Sequence, residues 1–444
     1  MRGLENTGVL GVGLQLGVGQ LGVGYLGVRG ESLDTDGLSL DLQFATDKTL
    51  TARKGPTPTF TRASTATFVG SDGLIQSAAV NAARFDHDPV TLACKGLLIE
   101  ESRTNLLSYS EDMTVTNGWA VESGNSQWVN NAAMSPNLAY TAEKLQELAT
   151  TSRKITIKAP SVVTGTSYTF SVYAKAGERN VLQLATAAGF DTIYQNFDLS
   201  TGAVGGGTAT NPVITPAGNG WYRCSVTVVA NATGVGTLTV GIVLGVNDAR
   251  FFSYIGVAGN GLFLWGAQLE VGSSPTSYIP TVASTVVRSA DVCSITGSDF
   301  TGFYNQSEGS FACNYSITSG FTGNRYAASI EDTVGGTLNG FVLRNTNAAT
   351  SFIAGAGYSS IIGAVTTTVS KHILAYSGLT EFVYVKDSVV GTTTGSGTRD
   401  PSLPIRMSIG TIEGNNTFTL CGHISAIRYF KKRLPNAKLQ TLTT

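Results

Sequence analysis

The sequence predicts an all-β chain, built of β-sandwiches behind an extended glycine-rich arm. Three observations predict it. Only 13% of the 444 residues are charged, about half the roughly 25% of an average soluble domain. Gly reaches 53 residues beside 12 Pro, a composition that leaves little room for long helices. After Gly30, apolar and polar side chains alternate through one short segment after another, as half-buried strands require. Hydrophobic residues at 42% supply sizeable cores and exclude a largely disordered chain. The length allows two to four domains.

Residues 8–28 read GVLGVGLQLGVGQLGVGYLGV, in which Leu10, Leu16, Leu21 and Leu26 each open an LGV. The frequent Gly argues against a helix, since each costs about 0.8–1 kcal/mol relative to Ala. Gln15, Gln20 and Glu5 suit neither a membrane span nor a secretory signal. The segment reads as an extended arm. Leu10, Val12, Leu16, Val18, Leu21, Val23, Leu26 and Val28 are its apolar anchors, and Gly lets the backbone lie close against another chain. Nothing within such an arm offsets its ordering entropy. It is therefore expected to anchor the chain on an assembly.

Further along, Tyr168, Phe170, Val172 and Ala174 fall on one face of 168–175. Segment 221–229 groups Tyr222, Cys224, Val226 and Val228, and 263–270 groups Phe263, Trp265, Ala267 and Leu269. Turn signals at 200–207, 217–221 and 257–261 separate them. Short strands with glycine-rich turns favour sandwiches over an α/β fold. Residues 142–149 (AEKLQELA) have helical propensity and predict one short helix. Pro275 and Pro280 mark the exit at a sheet edge. A second sandwich begins near 296, with Phe311, Cys313, Tyr315 and Ile317 on one face. Strands are expected at 324–331, 338–345, 371–377, 381–387, 404–411 and 419–430, the last placing Ile424, Ala426, Arg428 and Phe430 together. Residues 435–443 predict a terminal helix packing Leu439 and Leu442.

The net charge is −1, from 29 basic and 30 acidic residues. No general field favours nucleic acid. The densest basic run, Lys431-Lys432-Arg433 with Arg428, reads as a solvated strand end. The five cysteines, Cys94, Cys224, Cys293, Cys313 and Cys421, form no CxxC and read as thiols rather than a disulfide framework. His87, His372 and His423 stand at no zinc-binding spacing. Neither metal nor cofactor is expected.

Three blocks carry a resemblance. The first is FTRASTATFVGSDGLIQSAAVNAARFDHDP (60–89), leading into GLLIEESRTNLLSYSEDM and Trp119. The second is TFSVYAKAGERN (169–180). The third is GWYRCSVT (220–227) with LFLWGAQLEVGSSPTSYIPT (262–281). In order and spacing, across about 44–295, they resemble a family of bacteriophage fibre and spike proteins. The resemblance implies a carbohydrate-binding-module jelly roll over 97–295 and makes 142–149 a strand, against its propensity. Segments 371–390 and 418–443 are similar to concanavalin-like, laminin-G-type sandwiches, which implies that fold for 296–444. Lys371 and Asp387-Ser388 depart from that pattern, where Trp and Asp-Gly are usual. The expected organisation is an arm (1–30), a linking β region (31–96), a jelly roll (97–295) and a concanavalin-like sandwich (296–444).

No set of catalytic groups stands out. Glucanases of concanavalin type need paired carboxylates, commonly as E-x-D-x-x-E, which is absent. Glu331-Asp332 and Glu100-Glu101 are adjacent, so strand geometry splits each pair between two faces. Glu101 or its neighbour is expected to pair with Arg103. His87 between Asp86 and Asp88 reads as a turn held by Asp side chains, and His423 as a satisfied, partly buried ring. Asp86 and Asp88 alone fall short of the six to eight oxygens of a Ca²⁺ site. The expectation is therefore a chain without enzymatic activity. Sugar recognition by stacking on exposed rings is favoured, with Trp119, Trp128, Trp221 and Tyr254 as candidates; Trp265 reads as core. Together these readings predict a virion protein, a tail fibre that docks through its arm on other virion proteins (tail, portal or capsid) and binds host surface polysaccharide. A head fibre or capsid-decorating protein is the first alternative and a glycan depolymerase the second. The resemblance implies a homotrimer. Membrane insertion is not expected.

Overall fold

The computed structural model describes residues 36–318, 325–331, 369–391, 404–412 and 418–444, and the backbone of the strands at 339–344, 348–353 and 358–361. The anchoring residues Leu10, Val12, Leu16, Val18, Leu21, Val23, Leu26 and Val28 lie outside the described residues, as does Asp332.

The described residues fold as two all-β sandwiches, one inserted into the other. In the host sandwich an eight-stranded sheet faces a seven-stranded one. The eight-stranded sheet runs in the order 389–390, 381–386, 370–377, 308–317, 422–430, 94–99 and 85–87, with 38–42 also pairing with 422–430. The seven-stranded sheet runs 59–61, 292–296, 406–409, 325–331, 339–344, 348–353 and 358–361. Leu40, Leu97, Ile295, Phe311, Tyr315, Ile330, Met407 and Tyr429 meet between them. The inserted sandwich stacks two six-stranded antiparallel sheets. One runs 210–216, 221–229, 167–176, 261–271, 142–147 and 126–133; the other runs 203–207, 194–198, 181–187, 237–242, 154–158 and 120–121. Phe170, Val172, Leu184, Phe197, Val226, Val240 and Leu264 fill its centre.

This topology corrects the expected division of the chain. The described part of the region expected at 31–96, residues 36–96, is not a separate linking layer. Its strands Leu38–Leu42 and Cys94–Ile99 pair with Gly422–Phe430, and Thr59–Thr61 pairs with Val292–Thr296. The expected boundaries at 97 and 295 fall inside strands 94–99 and 292–296. Alternation reports which side chains are buried, and it is silent on which strand lies alongside.

Two bulges also correct the expected faces. Along Gly261–Val271 the register shifts opposite Ser171–Tyr173, where Gly266 has φ +61°. One extra residue turns every later side chain over. Leu262 and Leu264 before it, and Ala267 and Leu269 after it, therefore share the inner core, while Trp265 packs on the other side of the sheet. A Cβ on Gly266 would stand 2.9 Å from the Tyr173 ring. A second shift, opposite Asn314–Tyr315, puts Ile424, Ile427 and Tyr429 into the host core and breaks the expected face of Ile424, Ala426, Arg428 and Phe430.

Residues 142–147 form a strand, not the helix that propensity predicts. Strands 126–133 and 261–271 pair with it on both sides, and Ala142 and Leu145 are buried at opposite faces. Tertiary pairing outweighs a propensity difference of tenths of a kcal/mol per residue. The terminal helix forms at Asn436–Leu442, and Leu439 is buried against Ile373, Val385 and Phe430. All five cysteines are free thiols. Among the described residues, no helix is long and apolar enough to cross a membrane.

Candidate functional site

The chain passes between the two sandwiches twice, at 99–107 and at 271–292. The two crossings lie side by side, since Arg103–Asn105 pairs with Val286–Arg288. Asn105 stitches them further, donating to the carbonyls of Ile279 (2.9 Å) and Ala267 (3.2 Å).

A buried ion cluster sits at this crossing. Asp291 accepts from Arg62 at 3.1 Å and from Arg84 at 2.5 Å. Glu100 lies 2.8 Å from Arg84 and 3.5 Å from Arg288. Glu100 also accepts from the Ser277 amide (2.7 Å) and hydroxyl (2.6 Å), and its own amide donates to Asp291 at 2.9 Å. Burial alone would raise the Glu100 carboxyl. Arg288, Arg84 and the Ser277 hydrogen bonds outweigh it and hold the group well below the usual carboxylate range. Glu101 turns the other way, to Arg103 at 2.5 Å and Arg325 at 2.7 Å. Adjacent glutamates thus serve opposite faces, as strand geometry requires.

Beside the cluster lies an aromatic one. Tyr173, Trp221, Trp265 and Tyr278 pack together with Ala142, and Ile75 of the hairpin 66–78 closes over them. Arg223 lies 5.4 Å from the Tyr173 ring centre and donates to the Thr276 carbonyl at 2.5 Å and the Ser171 hydroxyl at 3.0 Å.

Between the sandwiches, next to both clusters, opens a cleft of about 250 Å³. Phe68, Ile75, Pro89, Pro216, Ala217 and Pro275 give it apolar walls. Asp86, Lys95, His423, Arg223 and Thr318 supply polar groups. Asp86 accepts from His423 Nε2 at 2.8 Å and from the Val69 amide at 2.7 Å. Lys95 Nζ stands 3.9 Å from the same carboxylate, and its side chain is 36% exposed. Burial would raise the Asp86 carboxyl, but the His423 ring and the Lys95 ammonium hold it below its ordinary value. Apolar walls with a few placed polar groups are the general make-up of a ligand site.

The ring candidates do not form a stacking platform. Trp119 and Trp221 are 0% and 2% exposed, and Tyr254 is 6% exposed. Trp119 fills the inserted core. Trp221 does lie opposite Tyr222, but that face is covered by the hairpin and by Met134, whose carbonyl accepts from Trp221 Nε1 at 3.2 Å. Tyr254 is held between Lys154 and Arg179. Trp128 is half-buried and donates to the Trp119 carbonyl at 3.1 Å. Sequence reasoning missed Lys95, Arg223 and Ser277. The signal available for Asp86 and His423, a His flanked by acids and a His on a strand, was local, whereas their pairing spans the chain.

Of the remaining histidines, His87 is buried, with Nδ1 3.2 Å from the Val69 carbonyl oxygen. Asp88 receives the amides of Val90 and Thr91 and holds the turn, but Asp86 and His87 lie on the strand Phe85–His87 and not in the turn expected of them. His372 is 1% exposed between Tyr315 and Tyr384. Burial, with the nearby Lys386, lowers its pKa to about 3, against about 6.5 in an unfolded chain. Between these values the unfolded chain binds a proton that the folded one does not, so this contribution to stability is lost as the pH falls. Wild type should lose stability relative to His372→Gln by up to roughly 1.4 kcal/mol per pH unit below the ordinary imidazole pKa. Urea midpoints above and below that pKa measure it, and parallel pH profiles for the two proteins would refute it. Among the described residues no group of His, Cys, Asp and Glu is placed to hold a metal ion.

No family model and no curated protein matches the sequence. Solved structures do match. One is Trypanosoma rangeli sialidase in complex with sialic acid, at 10% identity and a TM-score of 0.30, covering 68% of this chain and 60% of that one. Another is a mutant of the same sialidase displaying trans-sialidase activity, at 9% identity and 0.28, covering 72% and 61%. The chain thus spans about 60% of the length of these structures. The matched proteins are enzymes, so the expectation of a chain without enzymatic activity is withdrawn. A TM-score of 0.30 assigns no activity to this chain either.

Proposed function

We propose that the chain is a subunit of a bacteriophage tail fibre, a homotrimer in the virion, that binds host surface glycan through the cleft between its sandwiches. One observation carries this reading. The blocks that resemble fibre and spike proteins are far apart in sequence, yet they meet at the cleft and the clusters beside it. The first supplies Arg62, Phe68, Arg84 and Asp86, and its continuation supplies Glu100. The second supplies Tyr173, and the third Arg223, Trp265, Ser277 and Tyr278. A shared sequence pattern is explained if what it preserves is this joint and its cleft. Sugar binding at such a site needs little intrinsic affinity, because several copies on one particle bind by avidity. Gold-labelled antibody against the host sandwich tests the location on intact virions. Labelling at the tail is expected. Labelling over the capsid would make the chain a head fibre, and unlabelled virions would overturn the reading.

A further inference from the structure

We infer that the cleft takes the vicinal diol of an uncharged pyranose, clasped between the Asp86 carboxylate and the Lys95 ammonium. This rests on the glycan-binding reading and adds the pair of groups that hold the sugar and the class of sugar. Lys95 Nζ and Asp86 Oδ2 are 3.9 Å apart. That is too long for a direct hydrogen bond, which spans about 2.7–3.2 Å. A hydroxyl can close the gap, donating to the carboxylate while accepting from the ammonium. An ionised carboxylate has about four acceptor sites. The Val69 amide takes one on Oδ1 and His423 one on Oδ2, so both oxygens keep capacity for neighbouring hydroxyls. Thr318 adds a further hydroxyl at the same cleft.

The cleft sets Asp86 and Glu100 against Lys95 and Arg223, so it offers no field of a single sign to select an ionised sugar. A carboxylate on the ligand would meet Asp86, with Glu100 behind it, and a cation would meet Lys95 and Arg223. A hydroxyl both donates and accepts, which is what a carboxylate beside an ammonium offers to satisfy. The apolar C–H face of a pyranose matches the walls formed by Phe68, Ile75 and Pro89 of the host sandwich and Pro216 and Ala217 of the inserted one. The volume of about 250 Å³ lies just under the roughly 300–1,000 Å³ of drug-sized ligand pockets, and it suits one ring with part of the next.

Saturation-transfer NMR on the full chain tests the assignment. The probes are the methyl glycosides of mannose, galactose and glucose, with glucuronic acid as the charged comparison. Lys95→Met is the decisive variant, because that side chain reaches the solvent and holds no buried hydrogen bond among the described residues. Asp86→Asn is run beside it with a circular-dichroism check, since Asp86 also holds His423. Wild type should bind a neutral glycoside, with little dependence on salt, and Lys95→Met should bind it at least tenfold more weakly. Undiminished binding by Lys95→Met would overturn the assignment to this cleft while leaving glycan binding intact. A preference for glucuronic acid that salt abolishes would overturn the neutral class. Silence of wild type towards every glycoside would overturn the glycan-binding reading itself.

Discussion

Asp291→Ala is expected to destabilise the folded chain by about 3–5 kcal/mol, the cost of removing one partner from a buried ion pair. Asp291 holds both Arg62 and Arg84, each with a fully buried side chain, and receives the Glu100 amide. The cluster sets three arginines, at 62, 84 and 288, against the two carboxylates Glu100 and Asp291. Without Asp291, Arg62 loses its carboxylate and, among the described residues, keeps the carbonyls of Ser64 and Ala79 as hydrogen-bond acceptors. Arg84 and Arg288 would then share Glu100. The Coulomb attraction that offsets desolvation is lost, and the desolvation remains. Urea unfolding with a fixed m-value measures the change. A loss under 1 kcal/mol, the range of an exposed pair, would show that the cluster is solvated in solution.

Trp265→Ala should cost about 3–5 kcal/mol, as large-to-small substitutions of a buried indole do. Trp265 is 0% exposed. Its ring centre lies 4.5 Å from that of Tyr278 and 5.4 Å from that of Tyr173, and its Nε1 donates to the Thr141 hydroxyl at 3.2 Å. Tyr278 belongs to the second crossing and Ile75 to the hairpin over it, so the cavity would open where the sandwiches meet. Saccharide binding at the cleft should weaken with it, because Tyr173 and Tyr278 also line that cleft. Thermal unfolding and the NMR titration together measure the effect. A shift no larger than that of a surface substitution would place the indole outside the joint.

The all-β class and most strand faces were legible in the alternation. Tyr168, Phe170, Val172 and Ala174 occupy the inserted core, and Phe311, Cys313 and Tyr315 the host core. Period two fails at Gly266 and at Ser425, where a bulge changes the face; the Gly within the strand pattern is a mark of the first, and Ser425 carries no such mark. The joint was not legible for a different reason. Arg62 and Asp291 are 229 positions apart, and Asp86 and His423 are 337 apart. Pairing over such separations is fixed by topology, which composition and spacing do not carry. The tryptophans misled because Trp221 does stand opposite the core face of its strand, and a second layer, supplied by the hairpin 66–78, covers that side.

Native-state hydrogen exchange on the full chain tests most directly that the two sandwiches form one body, closed by the ion cluster and the aromatic cluster. Peptides over 100–107 and 277–291, which lie within the crossings and outside the host strands, should exchange as slowly as those over 168–174 and 424–430, because amides in one cooperative unit open only with that unit. If the crossing peptides exchange orders of magnitude faster than both cores, the joint is a loose linker, and a cleft built on it has no fixed shape.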